Sequence, residues 1–145
     1  MPTPTNKLTC KWIAVGILTM LPLSAWAGSV KIIANTSVKA DSISADELKS
    51  VFLEEKNSLS DGSHVEPVIE KGGPAHEAFL KEYLDKSDAA LQTYYRSLVF
   101  TGKGSMPKAV GSDAEVAALV AKTKGAIGYV SEGTAAEGTK TLAVK

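Results

Sequence analysis

The strongest candidate for chemistry in this chain is a glycine-rich turn that follows an apolar run and precedes a helix. Residues 70–76 read Glu-Lys-Gly-Gly-Pro-Ala-His, and Pro74 is typical of the first turn of a helix. Glycines let the backbone approach a ligand closely, and free N–H groups beside a lysine favour a negative group. A strand-to-helix turn that needs glycine only for its geometry explains the same pattern. If the turn binds an anion, the predicted contacts are Lys71, Gly72, Gly73, Ala75 and His76.

Two other polar loops could contact a ligand. Asn35, Thr36 and Ser37 follow the first apolar run, and ligands of open α/β sheets often bind at the carboxyl ends of strands. Residues 101–105 form a glycine-rich basic loop, although no G-x-x-x-x-G-K-[ST] phosphate-binding run occurs in the chain. Loops of both kinds are also common as solvated connections, so the sequence leaves their role open.

The sequence contains no evident catalytic or metal-binding constellation. The two histidines, His64 and His76, have neither a partner histidine at metal-ligand spacing nor an acidic cluster beside them. Both are expected at the protein surface. Because no nucleophile, base and orienting group occur together, the sequence predicts a protein without enzymatic activity, cofactor or metal.

The first 27 residues are predicted to be a cleaved export signal. A basic start precedes a mostly apolar run over 12–23, and residues 25–27 read Ala-Trp-Ala, with small residues where a signal peptidase cuts. The alternative is a retained membrane anchor, but the apolar run is shorter than the about 20 residues that span a bilayer. Cleavage before Gly28 predicts a periplasmic protein of 118 residues (145 − 27).

Removal of this signal changes the charge of the chain. The full chain has 16 basic and 16 acidic side chains, so the loss of Lys7 and Lys11 leaves 14 against 16, or a net charge of −2. That charge argues against a nucleic-acid partner, which favours a clearly basic domain. Cys10 leaves with the signal, so residues 28–145 have no cysteine and must be stabilised by one apolar core.

Hydrophobic periodicity predicts a single α/β domain over residues 28–145. Short apolar runs predict four strands, at 30–35, 65–70, 126–131 and 139–144. Helix starts are predicted at Ser44, Pro74, Ser87 or Asp88, and Ser112, with capping boxes at Ser44 and Ser112. The resulting order is β-α-β-α-α-α-β-β, which favours a mixed β-sheet covered by helices.

Three finer expectations follow from the same patterns. Pro67 lies inside the second predicted strand, which places that strand at a sheet edge or at a bend, because proline cannot donate to a strand ladder. The first two strands should form a right-handed crossover if they are parallel neighbours. The helix after Ser87 should bury an apolar stripe of Leu91, Tyr94, Tyr95, Leu98 and Val99.

Several segments together resemble one known family, the phosphate ABC-transporter substrate-binding proteins of the periplasmic-binding-protein superfamily. They run in the family's order at 32–35, 43–53, 61–62, 68–79 and 125–130. Residues 95–96 and 99–104 look like the short, single-domain branch of that family. The resemblance implies a single lobe of the type 2 periplasmic-binding-protein fold, and a protein that binds phosphate or a similar small oxyanion for an ABC transporter.

Two departures from the family pattern qualify that implication. Family members of full length close two lobes over the ligand, whereas this chain matches only one. The family's phosphate loop reads Ser-Gly-Thr where this chain has Gly73-Pro74-Ala75, so two hydroxyl donors are absent and weak binding is expected. The alternative is an interaction module, because half a cleft leaves a surface that could dimerise or dock on a membrane sensor or transporter.

Overall fold

The structure is a computed structural model that describes residues 30–145. The predicted signal peptide, residues 1–27, lies outside the described residues, so its cleavage stays a prediction. The strands are β1 (Val30–Asn35), β2 (Ser42–Ile43), β3 (Glu66–Glu70), β4 (Lys108–Val110), β5 (Ala126–Ser131) and β6 (Thr139–Val144). The helices are α1 (Ala45–Phe52), α2 (Pro74–Phe79), which continues as a π-helical turn (Leu80–Leu84), α3 (Asp88–Thr101) and α4 (Asp113–Lys122).

The strands form one mixed sheet in the order β2-β6-β1-β5-β3-β4. β1 is antiparallel to β5 and β6, whereas β3 is parallel to both β5 and β4. The register pairs Val30 with Ser131 and Ala34 with Ile127, and it pairs Glu66 with Ala126. The last residues of β3 and β5 therefore lie at the same end of the sheet, which we call the carboxyl end. Because β1 runs in the opposite direction, its last residue lies at the other end, which we call the amino end.

The mixed sheet covered by helices confirms the predicted α/β fold. The condition set for a crossover between the first two long strands is not met, and one of the two positions expected for β3 is excluded. β1 and β3 are not neighbours, because β5 lies between them and runs antiparallel to β1, so no crossover joins adjacent parallel strands there. Of the two alternatives expected for β3, an edge strand or a bend, the edge strand is excluded because β3 lies between β5 and β4. Pro67 is tolerated because pairing with β4 begins only at Val68, and the N–H of Glu66 already bonds to Gly125 on the β5 side.

Two apolar layers cover the faces of the sheet. On one face the rings of Phe79 and Tyr129 stack with centroids 4.0 Å apart, and Phe52 lies 4.7 Å from Phe79. On the other face α4 packs Val116 and Val120 against residues of β1, β3 and β5. Successive strand residues alternate between these layers, as the pleat of a strand requires. The central strands β1, β3 and β5 are therefore buried on both faces over most of their length, which explains their apolar runs.

The predicted helix starts are confirmed, although the two capping boxes are only half formed. Ser44, Ser87 and Ser112 each accept a backbone N–H three residues on, at 3.1 to 3.3 Å. The carboxylate of Glu47 does not accept the backbone N–H of Ser44, as a complete capping box would require. It accepts both the N–H and the hydroxyl of Ser60 instead. That glutamate therefore anchors the loop after α1 as well as the helix start.

The apolar stripe predicted for α3 is confirmed except at its last member, Val99, since Tyr94 and Leu98 are partly buried and pack against the core. Leu91 and Tyr95 are fully buried, and the Tyr95 hydroxyl donates to the carbonyl of Phe52 at 2.5 Å. Val99 is 53% exposed, and Phe100 beside it is 93% exposed. The last turn of α3 therefore extends beyond the core and presents apolar side chains to solvent.

Candidate functional site

The turn between β3 and α2 places unpaired backbone donors at the carboxyl end of the sheet. Gly73 has φ +104°, a conformation that strongly favours glycine, and it caps α2 without a side-chain hydrogen bond. The N–H of Lys71 donates to Val110 at 2.8 Å, which ties the turn to β4. Within residues 30–145, no acceptor contacts the amides of the next non-proline residues, namely Gly72, Gly73, Ala75 and His76.

Only part of this turn is open to solvent. Lys71 and Gly73 are exposed and Gly72 is half-buried, whereas Ala75 and His76 are 2% and 1% exposed. Of the residues that the sequence predicted for anion contact, those three therefore form the accessible surface. The amides at residues 75 and 76 lie beneath it.

The prediction that His76 is a surface histidine is wrong, whereas His64 is exposed as expected. His76 Nε2 lies 2.7 Å from Asp88 Oδ1, and Nδ1 lies 2.5 Å from the Tyr129 hydroxyl. Because a carboxylate only accepts, Nε2 donates to Asp88, and in a neutral imidazole Nδ1 then accepts from Tyr129. The sequence hid this role, since Asp88 and Tyr129 reach His76 only through the folding of α3 and β5.

The Tyr129 hydroxyl also accepts the backbone N–H of Glu70 at 3.0 Å. This phenol is fully buried, and that burial raises its pKa far above the ordinary value. It therefore stays protonated and links the end of β3 to α2 and, through His76, to the start of α3. Every polar atom of the imidazole and the phenol is thereby used inside the protein, which gives His76 a structural role.

Glu70 is a buried carboxyl group directly beneath the turn, and sequence reasoning missed it. Its residue is 2% exposed, and one carboxyl oxygen lies 3.7 Å from where a Cβ of Gly73 would stand. Burial, and then the neighbouring Asp113, raises the pKa of Glu70 to about 8. Glu70 is therefore mostly protonated at neutral pH. The available signal was a carboxylate at the last position of an apolar strand, separated by one residue from Gly72-Gly73.

Asp113, the first residue of α4, completes a carboxyl pair with Glu70. Asp113 Oδ2 accepts the N–H of Ser131 at 3.0 Å and the hydroxyl of Thr134 at 2.7 Å. Burial would raise the pKa of Asp113, but the hydrogen bonds from Glu70, Ser131 and Thr134 outweigh it and hold the pKa at about 2. At neutral pH the pair therefore carries one proton and one negative charge.

The second predicted group, Asn35 to Ser37, lies at the opposite end of the sheet. Asn35 Nδ2 donates to Val120 O at 2.8 Å and to a second carbonyl in the last turn of α4, while Oδ1 accepts the N–H of Ser37. The Ser37 hydroxyl accepts the N–H of Gly125 at 3.0 Å. Thr36 is exposed. These groups cannot contact the same small ligand as Lys71, because the length of the strands separates them.

The basic loop at 101–105 also lies away from Lys71. It leads into the first residue of β4, at the amino end of the sheet, beside a cleft of about 320 Å³. Side chains lining this cleft include Glu54, His64, Glu66, Met106 and Lys108. Within residues 30–145 no three His, Cys, Asp or Glu side chains are placed to hold a metal ion. The same stretch contains no helix with the length and apolar character of a membrane span.

Comparisons with known proteins identify the fold. No family model and no curated protein matches this chain. PstS from Borrelia burgdorferi superposes with a TM-score of 0.63 at 15% identity over 81% of this chain and 47% of its own length. A putative phosphate ABC transporter substrate-binding protein with bound phosphate from Clostridium perfringens gives 0.61 at 13% identity, over 81% of this chain and 45% of its own.

An ABC-type phosphate transport receptor from Vibrio cholerae is similar as well, with a TM-score of 0.54, 13% identity and coverage of 81% of this chain and 46% of its own. This chain therefore spans less than half the length of the structures it matches. Its α/β fold corresponds to roughly one lobe of PstS-type binding proteins. At these identities the likeness establishes the fold, and the ligand must be argued from the site.

Proposed function

We propose that this protein is an exported, non-enzymatic, solute-binding-like protein that binds phosphate or a similar small oxyanion weakly at the turn after β3. The observation that carries the proposal is the pair of unpaired amides at Gly72 and Gly73 beside the exposed Lys71. The fold supports the proposal as well, because the structures similar to it belong to proteins described as a phosphate transport receptor and a phosphate substrate-binding protein. The expected physiological partner is a membrane transporter or sensor.

The protonation states of Glu70 and Asp113 beneath the turn explain why an anion could bind there and why it would bind weakly. Because Glu70 is protonated at neutral pH, it adds no negative charge below the turn. Asp113 remains ionised and disfavours an anion nearby. Pro74 has no N–H, and no Ser or Thr hydroxyl stands at 73–75. A site with few donors and a nearby negative charge is expected to bind in the millimolar range, or about −4 kcal/mol.

Calorimetric titration of residues 28–145 with phosphate and with sulfate at low salt tests the proposal. We expect weak binding to the native protein and about threefold to fivefold weaker binding to Lys71→Ala, since an exposed charge contributes up to about 1 kcal/mol. Lys49→Ala, which removes an exposed lysine from α1, is the matched control and should leave the affinity unchanged. Absence of binding to both anions, or equal weakening by the two variants, would overturn the proposal.

The export that this function requires can be tested separately. The prediction is a protein that is processed between Ala27 and Gly28 and recovered from the periplasm. N-terminal sequencing of the protein expressed with its own leader gives the answer. A first residue other than Gly28 would correct the processing site, and retention in the membrane fraction would favour the anchor instead.

A second candidate function, an interaction module, is favoured by the exposed apolar end of α3. Val99, Phe100 and Met106 are 53%, 93% and 45% exposed, and they lie within eight residues of sequence. Exposed apolar residues grouped in this way often mark a partner site. Sedimentation velocity of native protein and Phe100→Ser would separate the candidates. Association that the substitution abolishes supports a homodimer through this surface, and a monomer at every concentration counts against one.

A further inference from the structure

Three separate parts of the chain meet at the carboxylate of Asp113. Glu70 reaches it from the end of β3, the N–H of Ser131 from the end of β5, and the hydroxyl of Thr134 from the turn before β6. Asp113 itself begins α4. One side chain thus connects the first turn of α4 to two strands and a turn, on the face of the sheet that α4 covers.

The proton of Glu70 determines whether the contact between the carboxyl groups of Glu70 and Asp113 is attractive or repulsive. No N–H or O–H group of residues 30–145 donates to the buried Oε1 of Glu70, so that oxygen would be left without a hydrogen bond if the carboxyl group were ionised. With its proton, Glu70 can donate to the ionised Asp113, and a charge-assisted O–H···O⁻ bond is among the stronger kinds. Without that proton, the buried carboxylate of Glu70 would face the partly buried carboxylate of Asp113 with no proton between them.

We propose that Glu70 and Asp113 form a proton-dependent latch that fastens the start of α4 and the turn at 131–134 to the end of β3, and that the latch opens when Glu70 ionises. The latch is a device of the fold and does not depend on anion binding. What it controls is the packing of the first turn of α4 and of the chain between β5 and β6.

Several other charged or titratable groups lie near the Glu70–Asp113 pair. Lys31 of β1 lies at the same turn, where its Nζ donates to the carbonyl of Thr134 at 2.6 Å. Glu115 of α4 is occupied by the N–H of Gly111 at 2.7 Å. Other titratable or charged groups near the pair include Lys71 in the turn, His76 in α2, Asp88 in α3, Tyr129 in β5 and Glu132 directly after β5. Of these, His76 and Asp88 are bonded to each other, and Lys71 is exposed to solvent.

The direction of the pH effect follows from the two pKa values. The pKa of Glu70 is about 8 in the fold and 4.5 in the reference state, so stability is lost as pH rises from about 4.5 through 8. The pKa of Asp113 is about 2 against 3.8, so its stabilising effect is present above about 4 and is lost as pH falls through 2. In the folded protein the latch is therefore closed between about pH 2 and about pH 8, where Asp113 is ionised and Glu70 is protonated.

A ¹H–¹⁵N NMR titration of residues 28–145 from pH 6 to 9.5 tests the latch. We expect the amide signals of Ser131 and Thr134 to shift together with a midpoint near pH 8. Hydrogen exchange at Ser131 should rise by about tenfold at pH 9 beyond the intrinsic rate, because one pH unit above a pKa shifts the equilibrium about tenfold. Glu70→Gln keeps a neutral donor towards Asp113 and should abolish both changes, while Glu77→Gln, an exposed carboxylate of α2, should keep them.

Three results would overturn the latch: no pH response at Ser131, a response that persists in Glu70→Gln, or one that Glu77→Gln also removes. If Glu70→Gln does not fold, the native protein still decides the matter through infrared spectroscopy with ¹³C-labelled glutamate. A protonated carboxyl band at pH 7 that disappears by pH 9 supports the latch. A spectrum in which every glutamate is ionised at pH 7 would contradict the latch.

Discussion

The two ends of the sheet use polar groups in opposite ways. At the amino end, Asn35 and Ser37 give their side chains to carbonyls of α4 and to the N–H of Gly125. At the carboxyl end, Gly72 and Gly73 keep their amides unpaired above the buried carboxyl group of Glu70. Since folded proteins pair nearly all of their backbone groups or leave them to water, unpaired donors concentrated at one exposed turn mark the end that is available to a ligand. The polar groups at the amino end hold the fold together.

The largest effect that this comparison predicts is at the amino end. Gly125 has φ +74°, and a Cβ there would lie 2.6 Å from the carbonyl oxygen of His64. Gly125→Ala should therefore lower the free energy of unfolding by about 3 kcal/mol through strain and a backbone clash. Urea unfolding measures it. Gly133→Ala, where a Cβ meets no atom within 4 Å, is the control and should change stability by less than about 0.5 kcal/mol.

Equal stability of the two alanine variants would mean that the connection between α4 and β5 yields easily. The backbone at the amino end would then be adaptable, and the contrast between an amino end whose polar groups hold the fold together and a carboxyl end that is open to a ligand would be contradicted.

A smaller loss is predicted at the carboxyl end, from Tyr129→Phe. The substitution removes the hydroxyl that accepts from the N–H of Glu70 and donates to His76, leaving two buried polar groups unpaired at a cost of about 2 kcal/mol. The phenyl ring keeps its stacking on Phe79. Tyr83→Phe, at a partly exposed ring, should cost less than about 1 kcal/mol. A harmless Tyr129→Phe would show that the buried network does not position the turn.

Local signals in the sequence predicted most of the helices and the longer strands. Ser44 and Ser112 were identified because capping acts over three residues, and β1 and β5 because their apolar runs are continuous. Two strands were missed, β2 of two residues and β4 of three. Such short strands owe their existence to a neighbour, since β2 forms along the end of β6 and β4 along β3. No periodicity can appear in two or three residues.

The sequence predicted the backbone turn of the candidate site but not the buried side chains beneath it. Glycines at 72 and 73 signalled the turn, but its buried groups come from positions far apart in the chain. Glu70 lies 43 residues before Asp113 and 59 before Tyr129 (113 − 70 and 129 − 70), and the sheet alone brings them together. For the same reason His76 looked like a surface residue. Its two partners are separated from it by 12 and 53 residues.

The smallest predicted effect separates a structural hydroxyl from a free one at the amino end. Ser37→Ala loses the acceptor for the N–H of Gly125 and should lower the free energy of unfolding by about 1 kcal/mol. Thr36→Ala removes an exposed hydroxyl and should change it by less than about 0.5 kcal/mol. Urea unfolding resolves the two. Neither substitution should alter phosphate affinity, because both residues lie a strand's length from Lys71, and weaker binding by both variants would move the ligand to the amino end.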